Sequence, residues 1–201
     1  MVMTKYKIID NFLNEKDFDK LSYDILPSID DQIRQQQINN FNWIYVKNQV
    51  TSWDEPYYLK KVTDIELLDP RHRWVFGNSS FIRGVPFPSF PVLVPLINKI
   101  FPLAIFRVQS VFTVQQDKMA RSAFHIDYTD ETQEYTDMVT SIFYMNTTNG
   151  PTILEDGTEI ECRANRLVSY PYKTYHSGVL CTDQPYRIVI NFNYFKNLDF
   201  S

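Results

Sequence analysis

Hydrophobic residues near the N-terminus recur with the period of an α-helix. The periodic positions are Phe18, Leu21, Ile25 and Leu26. Asn14 precedes Asp17 by three residues, which predicts a helix start, because an Asn side chain can accept a backbone N–H of the first turn. Pro27 predicts the end of the helix at about Leu26. We therefore expect an amphipathic helix that covers an apolar surface.

Short runs of strand-forming residues, separated by turn signals, dominate the chain from residue 105 onwards. Strands are predicted at 105–115, 123–127, 139–146, 152–154, 159–162, 166–170, 175–180 and 186–195. Asn149-Gly150 and Asp156-Gly157 are typical of tight turns. Many short strands at this spacing indicate a sandwich or a barrel. Upstream, strand formers fill 43–50, the Gly- and Pro-rich stretch 77–91 predicts a loop, and 92–101 predicts a short helix.

Alternate residues of the last predicted strand differ in polarity. One side carries Arg187, Val189, Asn191 and Asn193, and the other carries Ile188, Ile190, Phe192 and Tyr194. An exposed stripe of large apolar side chains would promote aggregation, so we expect the N-terminal helices to cover it and the polar side to face a cavity. On the first of these strands, Gln109, Thr113 and Gln115 are candidates for the same cavity lining.

These patterns predict a mostly β fold with N-terminal helices. The simplest arrangement is a double-stranded β-helix (a cupin-like jelly roll) over residues 105–195, with helices covering one sheet. Residues 1–104 would form a helical and extended N-terminal part, and 1–201 a single domain. A chain of 201 residues that is 44% hydrophobic has the size and apolar content for one core.

The charge and cysteine content narrow the classes of partner. The formal net charge is −4 and the chain has no run of Lys or Arg, which argues against nucleic acid. Two cysteines lack the further pair that a disulfide framework or a cysteine metal site needs. The chain has neither a signal-peptide pattern nor an apolar stretch of roughly 18 residues that would span a membrane. We expect a cytoplasmic protein with no membrane partner, and the sequence does not indicate its oligomeric state.

Candidate chemistry is concentrated in the predicted strands. The chain has three histidines. His125 and Asp127, at positions i and i+2 of a predicted strand, should point the same way and can bind one ion, with His176 as the third ligand. Two imidazoles and one carboxylate suit Fe(II) and leave coordination positions open, although zinc would accept the same ligands. Arg187 follows on the polar side of the last strand, where its guanidinium can bind a carboxylate through two hydrogen bonds.

The order of these residues resembles that of the 2-oxoglutarate/Fe(II)-dependent dioxygenase superfamily, and within it the prolyl 4-hydroxylase-like branch. The resemblance lies in His125-Ile126-Asp127, then His176, then Arg187 in the segment YRIVINF. The segment SIFYMN is similar to the family's strand after the His-x-Asp motif, and NGPT resembles its Gly-Gly turn, with Asn149 in place of the first Gly. The resemblance covers 105–195 and, more weakly, the first 26 residues.

The resemblance implies the activity and the roles of individual residues. His125, Asp127 and His176 would be the catalytic metal ligands, and Arg187 with the Tyr144 hydroxyl would bind the distal carboxylate of 2-oxoglutarate. The cofactors implied are Fe(II), 2-oxoglutarate as cosubstrate and O2, with ascorbate as a further candidate. The reaction would hydroxylate a C–H bond of a peptidyl or small, amino-acid-like substrate and release succinate and CO2.

Other functions remain open at this stage. A non-catalytic jelly roll, serving as a binding or structural module with a retained metal site, is the main alternative, and a zinc hydrolase is a third. A nucleic-acid demethylase is disfavoured because no second arginine follows Arg187, and a halogenase because Asp127 keeps its carboxylate.

Three further features have ordinary explanations as well as functional ones. The acidic segment 128–137 is either a solvated loop or a lid over the substrate. Arg121 is expected to be a surface arginine, with the steering of an acidic substrate as the alternative. His72, between two arginines, is expected to be a solvated loop residue.

Overall fold

Antiparallel β-sheet makes up most of the ordered structure. The computed structural model of the chain describes residues 5–28, 41–45, 55–68, 75–127, 135 and 137–196. Its helices are α1 (Glu15–Ile25) and α2 (Val94–Ile100), with 3₁₀ turns at Tyr57–Lys61 and Phe90–Leu93. Its strands are β1 (Lys7–Ile9), β2 (Ile44–Tyr45), β3 (Val75–Ile82), β4 (Val85–Pro86), β5 (Ala104–Val114), β6 (Met138–Tyr144), β7 (Thr148–Leu154), β8 (Glu159–Cys162), β9 (Arg166–Pro171), β10 (His176–Gly178) and β11 (Tyr186–Phe195).

The strands form two sheets of unequal size. The larger sheet has eight strands in the order β1-β9-β6-β11-β5-β3-β2, with β4 paired to β3. The smaller has three, in the order β10-β7-β8. The mostly β fold with few helices is confirmed. The N-terminal part contributes β1, β2 and β3 to the larger sheet, so this sheet extends beyond residues 105–195.

The two faces of β11 have different environments, as their alternation predicts. Its apolar side chains lie in the main hydrophobic core together with α1 and α2. The shared members are Ile188, Ile190, Phe192 and Tyr194 from β11, Leu21 and Ile25 from α1, and Leu93 and Leu96 from the second helical segment. The prediction that N-terminal helices cover the apolar side of the last strand is therefore confirmed. The opposite face is left for the candidate site.

The first helix begins and ends close to where the sequence predicts. Asn14 Oδ1 accepts the backbone N–H of Asp17 at 3.0 Å, which satisfies a donor that the helix itself leaves free. At the other end, the Leu26 N–H donates to Ser22 O and the chain then turns extended before Pro27. Phe18 packs edge-on against Phe143 of β6 at 6.1 Å between ring centroids. The predicted helix at 92–101 is also present, as a 3₁₀ turn continued by α2.

The loop prediction for 77–91 is wrong over its first half. Residues Val75–Ile82 form β3, which pairs with both β2 and β5. Gly77 and the polar run after it lack local strand propensity, but two neighbouring strands supply the hydrogen bonds and Asn78 Oδ1 accepts from Ser80 and Ser89 within the core. The turn that connects β3 to β4 is confined to Arg83 and Gly84, both of which have positive φ.

Two further local predictions are corrected by long-range contacts. Residues 123–127 do not form a strand: His125 alone pairs, in an isolated bridge with His176 whose two N–H···O bonds are both 3.0 Å. Asn149-Gly150 is not a turn but part of β7, where the register shifts. A Cβ at position 150 would collide with Val179 O, so Gly150 permits this close approach of two backbones.

Several predictions lie wholly or partly outside the described residues: His72, most of the segment 128–137, and residues 46–50 of the predicted strand 43–50. Within the described ranges, none of the helices has the length and apolar character needed to cross a lipid bilayer.

Candidate metal centre

Three candidate ligands from two separate segments converge at one point. The candidate ligand atoms of His125, Asp127 and His176 all lie within 4.8 Å of one another. Nε2 of each histidine is 3.9 Å from Asp127 Oδ1, and the ring centroids are 4.5 Å apart. The backbone bridge between His125 and His176 sets this geometry, because it places the two Cα atoms directly opposite each other. A single cation placed among these atoms would contact all three side chains.

Hydrogen bonds fix which nitrogen of each imidazole is free. His125 Nδ1 lies 2.9 Å from Ala123 O and His176 Nδ1 lies 3.2 Å from Thr174 O. A carbonyl oxygen only accepts, so in both rings Nδ1 carries the proton and donates. In the neutral ring, Nε2 is then the nitrogen with the lone pair and it lies towards Asp127, which is the tautomer that a metal ligand needs.

The Asp127 side chain is buried and ionised. Burial alone would raise the pKa of its carboxyl, but Arg107, His176 and His125 outweigh burial and lower the pKa to about 2. Arg107 Nη1 is 3.5 Å from Asp127 Oδ1 and donates to the Asp127 backbone oxygen at 3.0 Å. Asn193 Nδ2 donates to Asp127 Oδ2 at 3.2 Å. These contacts orient the carboxylate and leave Oδ1 towards the two histidines.

His125 is held in its neutral form. Burial lowers the pKa of His125 to about 4, helped by the neighbouring His176, while Asp127 acts in the opposite direction. At neutral pH the ring therefore presents a lone pair rather than a second proton.

The triad lies at one end of a cavity of about 420 Å³. Its walls come from both sheets, with β5, β6 and β11 on one side and β7 and β10 on the other. The lining is mixed, with apolar side chains such as Val111, Val179 and Val189 beside polar and charged ones. The polar lining residues outside the triad include Arg107, Gln109, Thr113, Thr152, Arg187 and Asn191.

Arg187 lies at the far end of the floor of this cavity. In the β5–β11 register, Arg187 pairs with Thr113, and Asn193, which contacts Asp127, pairs with Arg107. Arg187 and the triad end of the cavity are therefore separated by six positions along β11. Arg187 is 5% exposed, and its Nε donates to Gly150 O at 2.9 Å and its Nη2 to Thr152 Oγ1 at 3.1 Å. Its Nη1 has no hydrogen bond to any described residue, which leaves two N–H groups for a ligand.

Tyr144 lies behind Arg187 and is not among the residues that line the cavity. Its hydroxyl donates to Thr152 Oγ1 at 2.8 Å, and its ring lies 5.7 Å from the Arg187 guanidinium carbon. Complete burial raises the pKa of Tyr144 to about 12, with Arg187 acting in the opposite direction. Thr152 therefore stands between the Tyr144 hydroxyl and the cavity, with its own O–H free to donate into it.

Other predicted site residues have different positions. Gln109 and Thr113 line the cavity, whereas Gln115 is exposed and donates to Thr182 O. The expectation of a surface Arg121 is wrong: its side chain is 4% exposed and pairs with Glu55 at 2.5 Å. The Glu55 carboxylate therefore neutralises this cation in the interior. Glu55 also accepts the N–H of Phe124, which fixes the start of the His125 segment.

Sequence reasoning does not find the contributions of Arg107, Asn193 and Thr152. Arg107 and Asn193 matter because they meet Asp127 across β5 and β11, and Thr152 because β7 carries it against Arg187. The alternation of β5 and β11 assigns Arg107 and Asn193 to the cavity face, but only the strand register shows which groups they meet.

No family model matches the chain, and no curated protein matches it in sequence. Solved structures do match over almost its whole length. A prolyl hydroxylase from Trichoplax adhaerens, in complex with a hypoxia inducible factor oxygen degradation domain peptide, is 14% identical, with 96% of this chain and 84% of that chain covered and a TM-score of 0.57. The α-ketoglutarate-dependent carbocyclase SnoK from nogalamycin biosynthesis is 12% identical, with 96% and 80% covered and a TM-score of 0.59.

A third structure in this group contains both a metal and 2-oxoglutarate. HygX from Streptomyces hygroscopicus, with nickel, 2-oxoglutarate and hygromycin B bound, is 8% identical, with 97% of this chain and 84% of that chain covered and a TM-score of 0.54. At sequence identities of 14%, 12% and 8%, the structural similarity shows that the folds are shared. The resemblance to this group of proteins that the sequence motifs indicate is confirmed at that level.

Proposed function

We propose that the chain is an Fe(II)- and 2-oxoglutarate-dependent oxygenase that hydroxylates a C–H bond and releases succinate and CO2. One observation supports this more than any other: two Nε2 atoms and one carboxylate oxygen converge in a cavity that has a buried arginine at its other end. Two imidazoles and one carboxylate suit Fe(II) and leave open positions for a chelating cosubstrate and O2. A buried arginine with two free N–H groups suits the distal carboxylate of that cosubstrate.

We also infer that residues 1–201 are a single domain with a double-stranded β-helix at its centre. The cavity supports this, because its walls come from both sheets and the triad joins β10 of the smaller sheet to the segment between β5 and β6. A ligand site enclosed between two facing sheets is typical of jelly rolls.

The protein's own residues would have distinct tasks. His125, Asp127 and His176 would hold the metal, and Arg107 and Asn193 would orient the Asp127 carboxylate. Arg187 Nη1 and the Thr152 hydroxyl would bind the distal carboxylate of 2-oxoglutarate, so that its other end reaches the metal in one orientation. Tyr144 would act through Thr152 and Arg187 by holding both in place.

Iron(II) and 2-oxoglutarate, when bound, would supply the oxidation of a substrate C–H bond by O2, with ascorbate as a candidate reductant. The apolar stretches of the cavity wall would limit the access of water to the reacting groups. The structural neighbours include proteins with a peptide and with a small molecule bound. A peptidyl or a small, amino-acid-like substrate is accordingly our proposal for this chain.

Anaerobic titration of the metal-free protein tests the function. Fe(II) followed by 2-oxoglutarate should produce a visible charge-transfer band, and admission of O2 should then yield succinate. Asp127→Ala, prepared in parallel, should give neither signal, because the metal loses its anionic ligand. A binding or structural module would bind the metal without forming succinate. Metal-dependent hydrolysis that is indifferent to 2-oxoglutarate would indicate a zinc hydrolase.

A further inference from the structure

The floor of the cavity carries a second set of polar groups, separate from those around Arg187. Arg107, Gln109 and Asn191 all line the cavity, and Gln109 and Asn191 lie directly opposite each other on β5 and β11. Arg107 Nη2 donates to Gln109 Oε1. Val111 and Val189, the next inward-facing pair, separate this group from Thr113 and Arg187. The cavity therefore has two polar regions with an apolar stretch between them.

Hydrogen-bonding capacity in this group is unused within the described structure. Asn191 is 8% exposed, and its side-chain Oδ1 is buried without a partner. Arg107 uses Nη1 on Asp127 and one N–H of Nη2 on Gln109, and its Nε has no hydrogen bond to a described residue. A buried amide oxygen without a partner destabilises the fold, because it has lost its hydrogen bonds to water without replacing them. Such a group is explained if a ligand completes it.

The charges of the cavity lining indicate the sign of that ligand. Asp127 is the one acidic residue among the described lining residues, against the two guanidiniums of Arg107 and Arg187. A divalent metal adds two positive charges, and 2-oxoglutarate brings two negative ones. Among the groups of the described lining, one positive charge then remains without a counter-charge. A second anionic group is therefore favoured in the cavity.

We propose, resting on the function above, that Arg107 binds a carboxylate of the primary substrate, with Asn191 and Gln109 completing the site. The free N–H groups of Arg107 and the amide N–H of Asn191 donate to the carboxylate oxygens, and Asn191 Oδ1 accepts an N–H of the substrate. A cavity of about 420 Å³ is near the lower end of the range for small-molecule sites, and 2-oxoglutarate occupies part of it. The substrate is thus a small carboxylic acid of amino-acid size.

Matched ligand pairs test this proposal directly. The probes are the free L-amino acids and the corresponding carboxamides, which differ only in the carboxylate. Each is titrated by calorimetry into protein loaded with Zn(II) and saturating 2-oxoglutarate, so that binding is measured without turnover. At least one acid should bind about 10-fold or more tightly than its amide, the size expected for a charge-assisted hydrogen-bond pair. The same acid should stimulate succinate formation by the Fe(II)-loaded protein.

Variants then assign the preference to residues. Arg107→Gln should remove the difference between acid and amide, while Arg163→Gln, which removes an exposed arginine, should preserve it. Asn191→Asp should weaken acids more than amides, because it places a negative charge opposite Gln109. Arg107→Lys retains the charge but not the planar fork of the guanidinium, so it should keep part of the preference. This variant and Asn191→Asp keep the test decisive if Arg107→Gln does not fold.

Four outcomes would overturn the inference. The amides bind as well as the acids, or no acid binds to a complex that does bind 2-oxoglutarate, or only peptides bind. The fourth is a loss of 2-oxoglutarate affinity in metal-loaded Arg107→Gln as large as that in metal-loaded Arg187→Ala, which would place Arg107 in the cosubstrate site. If the wild-type protein does not bind 2-oxoglutarate at all, the proposed function itself fails, and this first titration separates the two cases.

Discussion

Each histidine of the triad is oriented by a carbonyl oxygen two residues earlier in the chain. His125 donates to Ala123 O and His176 to Thr174 O, so the two rings use the same device from different segments. This local contact leaves both Nε2 atoms towards Asp127. The two imidazoles are thus oriented by the backbone around them, whereas the side chains of Arg107 and Asn193 orient the Asp127 carboxylate.

Substitution of His176 by Ala should abolish stoichiometric metal binding. The metal would keep only two of its three ligands. His125 would also lose the ring whose centroid lies 4.5 Å from its own. Calorimetric titration of Fe(II) or Zn(II) into the metal-free variant measures the loss. His72→Ala is the matched control, because it removes the one histidine of the sequence that is outside the triad. An unchanged affinity in His176→Ala would remove this residue from the site.

Arg187→Ala should weaken 2-oxoglutarate binding by about 10- to 100-fold, the range expected for charge-assisted hydrogen bonds. The metal should stay in place, because Arg187 contacts Gly150 and Thr152 and none of the three ligands. Titration of 2-oxoglutarate into metal-loaded protein checks the first point, and metal analysis the second. Loss of the metal together with the cosubstrate would show that Arg187 has a structural role instead.

Residue types and their order predict the candidate ligands, but not the groups that support them. His125, Asp127, His176 and Arg187 stand out in the sequence because they combine chemistry with strand alternation. Arg107 looks like any polar residue of a half-buried strand, and its proximity to Asp127 depends on a loop that returns over β5. Such contacts follow from register and loop path, which local sequence does not encode.

At the level of elements, the segment that carries His125 is held by a buried ion pair in addition to its backbone hydrogen bonds with β10. Arg121 donates to Glu55 Oε1 and to the carbonyl oxygens of Ile65 and Ser122, and Glu55 accepts the Phe124 N–H. The described structure thus ties the approach to the first ligand to residues almost 70 positions earlier in the chain, at Glu55.

Glu55→Gln should therefore destabilise the fold and weaken metal binding together. Removal of one partner from a buried ion pair costs about 3–5 kcal/mol, because the other charge is left uncompensated. Chemical denaturation gives the free energy of unfolding, and metal titration gives the effect on the site. Glu66→Gln is the control, since its pair with Lys118 is exposed and should contribute nothing measurable. Equal stability of the two variants would contradict this account.

Elements whose hydrogen bonds and core contacts are local can be predicted from the sequence, and β3 cannot. Helix α1 has its cap, its periodic face and its stop within 14 residues, from Asn14 to Pro27. Strand β3 contains Gly77 and three polar residues in a row, and it is stable because β2 and β5 pair with it on both sides. The stability of β3 comes from strands that are distant in sequence, whereas local propensity alone predicts a loop.

For the whole molecule, ligand binding between the two sheets should stabilise the fold. A metal and 2-oxoglutarate that bind only the folded chain add about 2.7 kcal/mol each at a concentration of 100 times the dissociation constant. Melting temperatures should rise with metal, rise further with 2-oxoglutarate, and fall back with a chelator. Arg187→Ala should keep the first increase and reduce the second. A melting temperature that responds to neither ligand would contradict a site between the sheets.

The division of the molecule into a core side and a cavity side is predictable, whereas the strand order is not. The alternation along 186–195 already separates the residues that meet α1 from those that face the triad. The order β1-β9-β6-β11-β5-β3-β2 brings the first strand of the chain next to the ninth and depends on which edges remain free. The strand order is therefore determined by the whole chain and cannot be predicted from any one segment.

Because adjacent residues of β11 serve the core and the cavity in turn, insertions and deletions within this strand are severely constrained. A shift of one position would direct Arg187 into the apolar layer beneath α1 and turn Ile188 towards the proposed cosubstrate. Changes of chain length during divergence should thus accumulate in the largely exposed connection at residues 182–185, which leaves the phase of the strand intact. In any homologue of this chain, the residues that correspond to Arg187 and Asn193 should therefore remain an even number of positions apart, so that both stay on the cavity side.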